Sequence, residues 1–237
     1  MLFHRFVIAG VGMLTLGSLP ASAAREAGYR SLFDGKSLAG WQAPDPGFWS
    51  VQDGAITARS TEAKPCTQNQ FLVWQGGEIS DFVLQLKFRI QGPPDANSGI
   101  QIRSKIHPDG HAEGYQADID RAGKYLGSLY DEHTPREMLA ARGQRTIILE
   151  DGKRETETKS DADALFKAVD LDAWNEYRIE ARGNRITLRI NGKKTAEVID
   201  RQPGEFDASG KLALQLHSGP PTTVQFKNIR LKALGKG

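Results

Sequence analysis

The fold is decided most clearly by residues 177–192, which read YRIEARGNRITLRING. Apolar side chains stand at every second position on both sides of a central turn, beginning with Tyr177 and Ile179 before it and Ile186 and Leu188 after it. A period of two is typical of a half-buried strand, and the closing Asn-Gly pair favours a tight hairpin because both residues accept positive φ. The stretch therefore predicts three antiparallel strands in succession.

The same alternation recurs along the chain at intervals that fit a β-sandwich. Further strands are predicted near residues 48–52, 55–59, 82–90, 100–103, 115–120, 212–217 and 224–231. Short helices are expected only at 135–142 and at 161–168, where Asp161 is suited to be an N-cap. Both lie in one long connection, residues 131–172, which we expect to be a functional loop. The fold class is all-β, with residues 25–237 as one domain.

The first 24 residues have the pattern of an export signal. Arg5 precedes an apolar run at 7–19, and small residues at 20–24 place cleavage after Ala23 or Ala24. The run is too short for a membrane span of about 20 residues. We therefore expect a bacterial protein that is periplasmic or secreted, with no membrane span after cleavage.

The charge distribution and the cysteine content exclude several classes of partner and cofactor. The formal net charge is +2, and acidic and basic residues interleave, so nucleic acid is not an expected partner. Cys66 is the single cysteine, which excludes an intramolecular disulfide and a cysteine-rich zinc site. No Gly-rich phosphate loop, Gly-x-Ser-x-Gly or His-Glu-x-x-His motif occurs.

One face of the predicted sheet carries an unusual polar row. When apolar residues fill the inner face, the alternate positions point outward. On three strands these outward positions differ from the Lys, Glu and Thr residues of an ordinary sheet surface. They are Gln101, Arg103, Gln116, Asp118, Asp120, Gln215 and His217. If the strands are neighbours, the row can hydrogen-bond a polyhydroxylated ligand. An ordinary solvated sheet face is the alternative.

Carboxylates and other titratable groups concentrate just beyond this row. Tyr130, Glu132 and Asp118 could act as acids or bases, because neighbouring carboxylates can raise one another's pKa. No cofactor is predicted, although a divalent metal bound by His111, Glu113 and Asp118 remains open without a recognised ligand spacing. His107 and His111 are interpreted as exposed loop residues around a turn.

Several segments are similar, in order, to motifs of the 3-keto-disaccharide hydrolase domain family. They are residues 31–41 (SLFDGKSLAGW), 48–56 (FWSVQDGAI), 97–103 (NSGIQIR), 114–116 (GYQ), 174–177 (WNEY), 191–192 (NG) and 214–219 (LQLHSG). The resemblance covers about residues 31–231. It implies a concanavalin-A-like jelly roll with a small-molecule saccharide site on the concave sheet.

The resemblance also implies an activity, the cleavage of glycosides that carry a ketone at sugar C3. Under that hypothesis Asp118 or His217 is the base and Glu132 is the acid, while Arg103 stabilises the developing oxyanion. The remaining candidates bind substrate, and they are Asn97, Gln101, Gln116, Tyr130 and Gln215. Many family members have Tyr-Glu-x-Gln where this chain has Tyr115-Gln116-Ala117-Asp118, so the acid and the amide are exchanged.

The competing interpretation is a non-catalytic, lectin-like module that only binds glycans. Clustered titratable groups on the concave face favour the enzyme, whereas surface aromatics without carboxylates would favour the module. Trp41, Trp49 and Trp74 fall in segments that we assign partly to the core.

Overall fold

The computed structural model describes residues 28–235, so the predicted export signal at 1–24 lies outside the described residues. Almost all regular structure is β. The strands are β1 (Arg30–Ser31), β2 (Trp41–Gln42), β3 (Trp49–Gln52), β4 (Ala55–Arg59), β5 (Gln70–Trp74), β6 (Phe82–Gln91), β7 (Asn97–Ile106), β8 (Ala112–Asp120), β9 (Leu129–Glu132), β10 (Glu137–Ala140), β11 (Gln144–Ile148), β12 (Arg154–Thr158), β13 (Asn175–Arg182), β14 (Arg185–Ile190), β15 (Lys193–Asp200), β16 (Lys211–Leu216) and β17 (Thr223–Ala233). A 3-10 turn covers Pro46–Phe48, and the helix α1 covers Ala162–Lys167.

These strands form the two sheets of a sandwich. One has ten strands, in the order β12-β11-β15-β14-β13-β6-β17-β4-β3, with β1 paired to β17. The other has seven, in the order β10-β9-β8-β7-β16-β5-β2. Neighbours are antiparallel except β11 and β15, the one parallel pair among the described strands. The predicted all-β sandwich is confirmed.

The core lies between the sheets, where the alternating apolar residues meet. Leu84, Leu86 and Phe88 of β6 are buried against residues such as Ile100 and Ile102 of β7. Burying such side chains contributes about 1.5–3 kcal/mol each, which makes this alternation the main determinant of register. Trp41, Trp49 and Trp74 are also at least 93% buried, as their segments suggested.

Tight turns connect consecutive strands where the sequence places Asn-Gly and Asp-Gly. Asn191 and Gly192 have φ of 49° and 77°, and Asp53 and Gly54 have 51° and 72°. Positive φ at both central residues matches the right-handed twist of the flanking strands.

The connection at residues 131–172 differs from the prediction. Residues 137–140 form β10, which pairs with β9, rather than a helix over 135–142. Met138, Leu139 and Ala140 are good helix formers, but helix propensity is a weak determinant and is outweighed here by pairing with an existing strand. The segment also contains β11 and β12, so it is not one long loop but a series of short elements joined by turns. The helix near 161–168 is confirmed as α1, and Asp161 caps it by accepting from the amides of Asp163 and Ala164.

The β7–β8 hairpin bends where β7 carries one extra residue. Arg103 has φ of 50°, and the pairing register shifts between Gln101 and Lys105. Such a bulge bends a hairpin. Beyond the bend a small apolar cluster forms from Ile106, Ala112, Phe71, Val73 and Ala213. Phe71 is paired with Gln215, so the far half of the hairpin packs on the sheet face that carries the polar row. We call this the outer face, meaning the face of the seven-stranded sheet turned away from the main core.

Within residues 28–235, no helix has the length and apolar character needed to cross a membrane.

Candidate active site

The three strands of the polar row lie side by side as β8, β7 and β16. Asp118 of β8 pairs with Gly99 of β7. On the other side of β7, Ile100 pairs with Leu214 of β16, so the next residue of β16, Gln215, lies opposite Gly99. Gln116 pairs with Gln101 on one side and with Tyr130 of β9 on the other. Hydrogen bonding between backbones therefore brings these polar side chains onto one face.

The carboxamide of Gln116 is the centre of the arrangement. Its Nε2 donates to Asp118 Oδ1 at 2.8 Å and to Glu132 Oε2 at 3.4 Å, while its Oε1 accepts from Gln101 Nε2 at 2.8 Å. The Ser104 hydroxyl donates to Gln101 Oε1 at 2.6 Å. This chain of donors fixes the orientation of the Gln116 amide, since its NH2 group must point towards the two carboxyl groups.

Gly99 makes room for that amide. A Cβ atom at this position would lie 2.5 Å from Gln116 Cδ, much closer than van der Waals contact. The absence of a side chain on the central strand is therefore what lets Gln116 lie flat across the sheet and reach Asp118.

Both carboxyl groups are held in surroundings that favour their neutral forms. Burial raises the pKa of Asp118 well above its usual range, the Gln116 hydrogen bond opposes this, and the negative charges of Glu132 and Asp120 add to the rise. Burial also raises the pKa of Glu132, against the opposing influence of His217 and of a hydrogen bond from Asn69. Carboxyl groups whose pKa values are raised by burial are suited to acid and base chemistry.

His217 lies immediately after β16 and faces the same groups. Its Nδ1 is 2.5 Å from the carbonyl oxygen of Ser218. A carbonyl can only accept, so Nδ1 carries the hydrogen and Nε2 of the neutral ring keeps a lone pair. Asn69 holds this end together, because its amide donates to Glu132 Oε1 at 3.0 Å and its oxygen accepts from the Ser218 amide at 2.9 Å.

These side chains surround a cavity of about 610 Å³, within the range usual for small-molecule sites. It is lined by Asp95, Asn97, Gln116, Asp118, Tyr125, Tyr130, Glu132, His133, Thr134, Glu137, His217, Ser218, Gly219 and Pro220. The rings of Tyr125 and Tyr130 meet edge to face, 6.3 Å between centroids. The wall thus combines hydrogen-bonding groups with aromatic surface, which suits a sugar ring.

Several buried polar atoms of this region have no hydrogen-bond partner among the described residues. They are Asp118 Oδ2, Asn97 Oδ1 and both Oε1 and Nε2 of Gln215. An unpartnered buried polar atom costs about 1–3 kcal/mol, so such atoms are rare away from functional sites. Asp118 and Asn97 line the cavity, so a polar ligand bound there can supply partners for these two oxygen atoms.

The structure separates two members of the predicted row from this cluster. The bulge turns Arg103 away, and its guanidinium donates to the carbonyls of Ser80 and Gly183 and to Asp81 at 2.7–2.9 Å. The prediction that Arg103 belongs to the same outward-pointing row as Asp118 is therefore wrong, because the strict alternation fails at the bulge. The Asp120 carboxylate accepts from the backbone amides of residues 124–126 and closes a loop.

Gln101 and Gln215 lie on the outer face but do not line the cavity, since both are fully buried. Sequence reasoning missed Asn69, Gly99, Tyr125 and Ser218. Gly99 and Ser218 stand inside the quoted motifs, so the motifs themselves could have indicated them. Asn69 and Tyr125 come from loops, where spacing gives no signal.

One group of metal-binding side chains occurs among the described residues, formed by His107, His111 and Glu113. Asp118 is not part of it, so the earlier combination of His111 and Glu113 with Asp118 is wrong. The interpretation of the two histidines as exposed is also wrong, because their side chains are 21% and 34% exposed.

Two packed sheets with a polar cavity on one outer face define a lectin-like β-sandwich. The profile of the 3-keto-α-glucoside-1,2-lyase-like domain matches residues 28–232. The chain therefore belongs to this family, and the resemblance found in its motifs is confirmed. No curated protein sequence matches the chain.

Solved structures with the same fold come from both enzymes and binding modules. A candidate glycosyl hydrolase from Parabacteroides distasonis is 19% identical, with a TM-score of 0.56 over 87% of this chain and 94% of that one. The carbohydrate-binding module CBM66 from Bacillus subtilis is 15% identical, with a TM-score of 0.55 over 82% and 96%. A Bacillus subtilis protein of unknown function with a galectin-like fold is 11% identical, with a TM-score of 0.55 over 82% and 90%. At these identities the similarity shows the fold alone.

Proposed function

We propose that the chain is an exported enzyme that cleaves 3-keto-glycosides by proton abstraction at C2, elimination and hydration. The observation that carries the proposal is a pair of carboxyl groups, the buried Asp118 and the largely buried Glu132, which share the Gln116 amide beside a cavity of saccharide size. Membership of the 3-keto-α-glucoside-1,2-lyase-like family supports the choice of substrate.

The chemistry follows from the ketone. A carbonyl at C3 acidifies the hydrogen on C2, so a base can remove it and leave an enolate on the C3 oxygen. The electrons then form the C1–C2 double bond and expel the glycosidic oxygen from C1, which takes a proton from an acid. Water adds to C1 of the resulting enone while C2 regains a proton, and the products are the free 3-keto-sugar and the alcohol.

The groups around the cavity can supply each part. Asp118 or Nε2 of His217 takes the C2 proton, and Glu132, whose pKa burial raises, protonates the leaving oxygen. Tyr130 takes the role first given to Arg103, because burial raises the pKa of its phenol and keeps it a donor to the enolate oxygen. Asn97 and Gln116 hold sugar hydroxyls. No step requires a cofactor.

A second cavity suggests a disaccharide-sized substrate. It has a volume of about 860 Å³ and shares His133 and Ser218 with the first. The second sugar of a disaccharide bound beside Asp118 has this neighbouring space available to it. Export is proposed from the leader at residues 1–24, and fractionation of the expressing bacterium tests it, with the chain expected in the periplasm or medium.

The test is turnover of a 3-keto-glucoside or 3-keto-trehalose in D2O, with release of the alcohol measured over time. Elimination followed by hydration places one deuterium at C2 of the product, whereas direct hydrolysis places none there. We expect Asp118→Asn, Glu132→Gln and His217→Ala each to lower kcat about 100- to 10,000-fold.

Asp151→Asn is the matched control, since that carboxylate is exposed and pairs only with Lys153. It should turn over substrate at the wild-type rate. Wild-type rates in both Asp118→Asn and His217→Ala would remove the mechanism. Product without deuterium at C2, after correction for exchange without enzyme, would replace elimination by hydrolysis.

A glycan-binding module is the second candidate, because the fold is shared with CBM66. Binding of the 3-keto-sugar without any turnover, lost in Asn97→Ala, would favour it.

A further inference from the structure

Beyond the bend at Arg103, one face of the β7–β8 hairpin collects metal-binding side chains. Ile106 and Ala112 are the last residue pair of the hairpin in the structure, and the next position is closed by the His107 amide donating to the His111 carbonyl at 2.9 Å. His107 and His111 are thus directly opposite each other. Glu113 follows two residues later on the same strand, so it shares their face.

The opposite face of the β7–β8 hairpin packs against the sheet, and this determines the direction in which the metal-binding side chains point. Ile106 and Ala112 are packed into the small apolar cluster on the outer face of the sheet. Since alternate residues point to opposite sides, the two histidines and Glu113 are directed away from that cluster. Opposite residues in a hairpin have Cβ atoms about 4.5–5.5 Å apart, close enough for their side chains to share one ion.

The side chains of His107, His111 and Glu113 lie close together in the structure. One ligand atom from each of His107, His111 and Glu113 lies within 4.8 Å of the others. The two imidazole rings stack with centroids 4.1 Å apart, and His107 Nε2 is 3.0 Å from Glu113 Oε2. His133, from the end of β9, brings a third ring to within 4.8 Å of His111.

An orienting carboxylate accompanies the set. Asp109 Oδ1 lies 2.6 Å from His111 Nδ1. A histidine that binds a metal through one nitrogen commonly donates from the other to a carboxylate, which fixes the ring and strengthens the ligand. With Nδ1 engaged by Asp109, Nε2 of His111 is the nitrogen left for an ion.

We propose that His107, His111 and Glu113 form a site for a divalent transition metal, distinct from the carboxyl pair at Asp118 and Glu132. Two imidazoles and one carboxylate suit Zn²⁺ and its first-row neighbours, whereas Ca²⁺ and Mg²⁺ prefer oxygen ligands alone. Asp109 and Glu113 add two formal negative charges that attract the cation. Three protein ligands leave room for an exchangeable ligand.

The site lies at the wall of the second cavity, which is lined by His111 and His133. Ordinary ion pairs of the histidines with Asp109 and Glu113 are the competing explanation of the same contacts. The two differ in one measurable respect, since only a metal site takes up an ion with defined stoichiometry.

The experiment titrates Zn²⁺ into the tag-free protein by calorimetry, after treatment with chelator, and repeats the titration with Co²⁺ while recording its visible absorption. We expect one ion per chain and a cobalt band typical of nitrogen and oxygen ligands. His107→Ala, His111→Ala and Glu113→Gln should each weaken Zn²⁺ binding more than 10-fold, and Asp109→Asn by about 10-fold. Mg²⁺ should not compete.

His217→Ala is the matched control, because it removes an imidazole from the catalytic cavity and should bind Zn²⁺ as the wild type does. Melting temperatures without metal verify that every variant is folded. The proposal is overturned if no Zn²⁺ binds below about 100 µM, if the hairpin variants bind as the wild type, or if His217→Ala weakens binding as much as His111→Ala. Because no substrate is used, the outcome does not depend on the proposed 3-keto-glycoside activity.

Discussion

Asp131 and Glu132 are adjacent in β9, yet they enter two buried clusters of opposite character. Asp131 Oδ2 accepts from the guanidinium of Arg136 at 2.6 Å, and Asp200 accepts from the same guanidinium at 2.7 Å. Glu132 instead shares with Asp118 only the neutral amide of Gln116. Successive side chains of a strand point to opposite faces, so one step along β9 separates a carboxylate paired with an arginine from one that contacts two amides and, at 3.6 Å, the His133 imidazole.

The difference shows that this sandwich has one buried polar cluster that contains an arginine and one in which the carboxyl groups are bridged by an amide. In the first cluster burial raises the pKa of Asp131, but the Arg136 guanidinium contacts both acids and opposes this rise, and the Tyr115 hydroxyl donates to Asp200 at 2.6 Å. In the second no cation is in contact with Asp118, and burial disfavours its charge. A carboxyl group whose pKa is raised can exchange protons with a substrate. The cluster of Asp118 and Glu132 is therefore the one suited to catalysis.

The largest effect is expected when the cluster that contains Arg136 loses its cation. Arg136→Met would leave Asp131 and Asp200 buried without compensation, and the free energy of unfolding should fall by about 3–5 kcal/mol. Chemical denaturation measures it, with Arg185→Met as the control, because that arginine is more than half exposed. A loss below 1 kcal/mol would show that the two clusters do not differ in their need for charge balance.

The next effect comes from closing the space above Gly99. In Gly99→Ala the new methyl group would meet the Gln116 side chain at 2.5 Å, and such overpacking costs about 1–3 kcal/mol. Because Gln116 would move off Asp118, kcat should fall as well. Gly183→Ala is the control for inserting a methyl group, since nothing lies within 4 Å of its Cβ position, although its positive φ carries a cost of its own. Wild-type turnover in Gly99→Ala would mean that the amide bridge is dispensable.

A smaller, pH-dependent effect distinguishes Asp118 itself. Its pKa is raised in the folded state, so folded protein binds the proton more tightly than unfolded chain, and stability falls as pH rises from the unfolded value near 3.8 through the folded pKa. Asp118→Asn removes this loss. The variant should therefore melt higher than the wild type at pH 7–8, by about 2–4 °C for each kcal/mol relieved.

At pH values below 3.8 the gain in Asp118→Asn should vanish, because the wild-type carboxyl group is protonated in both states. Melting curves across this range measure it. A variant that is less stable than the wild type at pH 8 would show that the carboxylate has an unidentified favourable partner.

The smallest effect concerns Gln215, whose amide oxygen and nitrogen are buried without partners. Gln215→Met keeps the volume and removes both polar atoms, so the free energy of unfolding should rise by about 1 kcal/mol. Thermal denaturation measures the change, and a clear loss of stability would instead assign the amide a structural role.

Much of the fold was predictable, because periodicity and turn chemistry act locally. Alternation identified β6, β13, β14 and β16, and the Asn-Gly pair located one hairpin. Residues 135–142 were mistaken for a helix since their local preference is overridden by pairing with β9, which no neighbouring residue signals.

The site was predictable only in part, for a related reason. Alternation placed Gln116, Asp118 and Gln215 on one face correctly. It failed for Arg103, because a bulge adds a residue to one strand and leaves no mark in the pattern. The structure confirms that His107 and His111 flank a turn, and only their partial burial was not predicted, since the bend that packs their hairpin against the sheet is a tertiary event.

The exposed edge of the ten-stranded sheet bears on self-association. β12 reads RETET, lies at the end of the strand order and is exposed at every position. A free edge invites another strand, and charges along it oppose that pairing. Arg154 adds a restraint, because it donates to the carbonyls of Met138 at 2.6 Å and Arg136 at 2.7 Å, across to the edge of the other sheet. This charged, tethered edge would keep the ten-stranded sheet from adding strands of other molecules there.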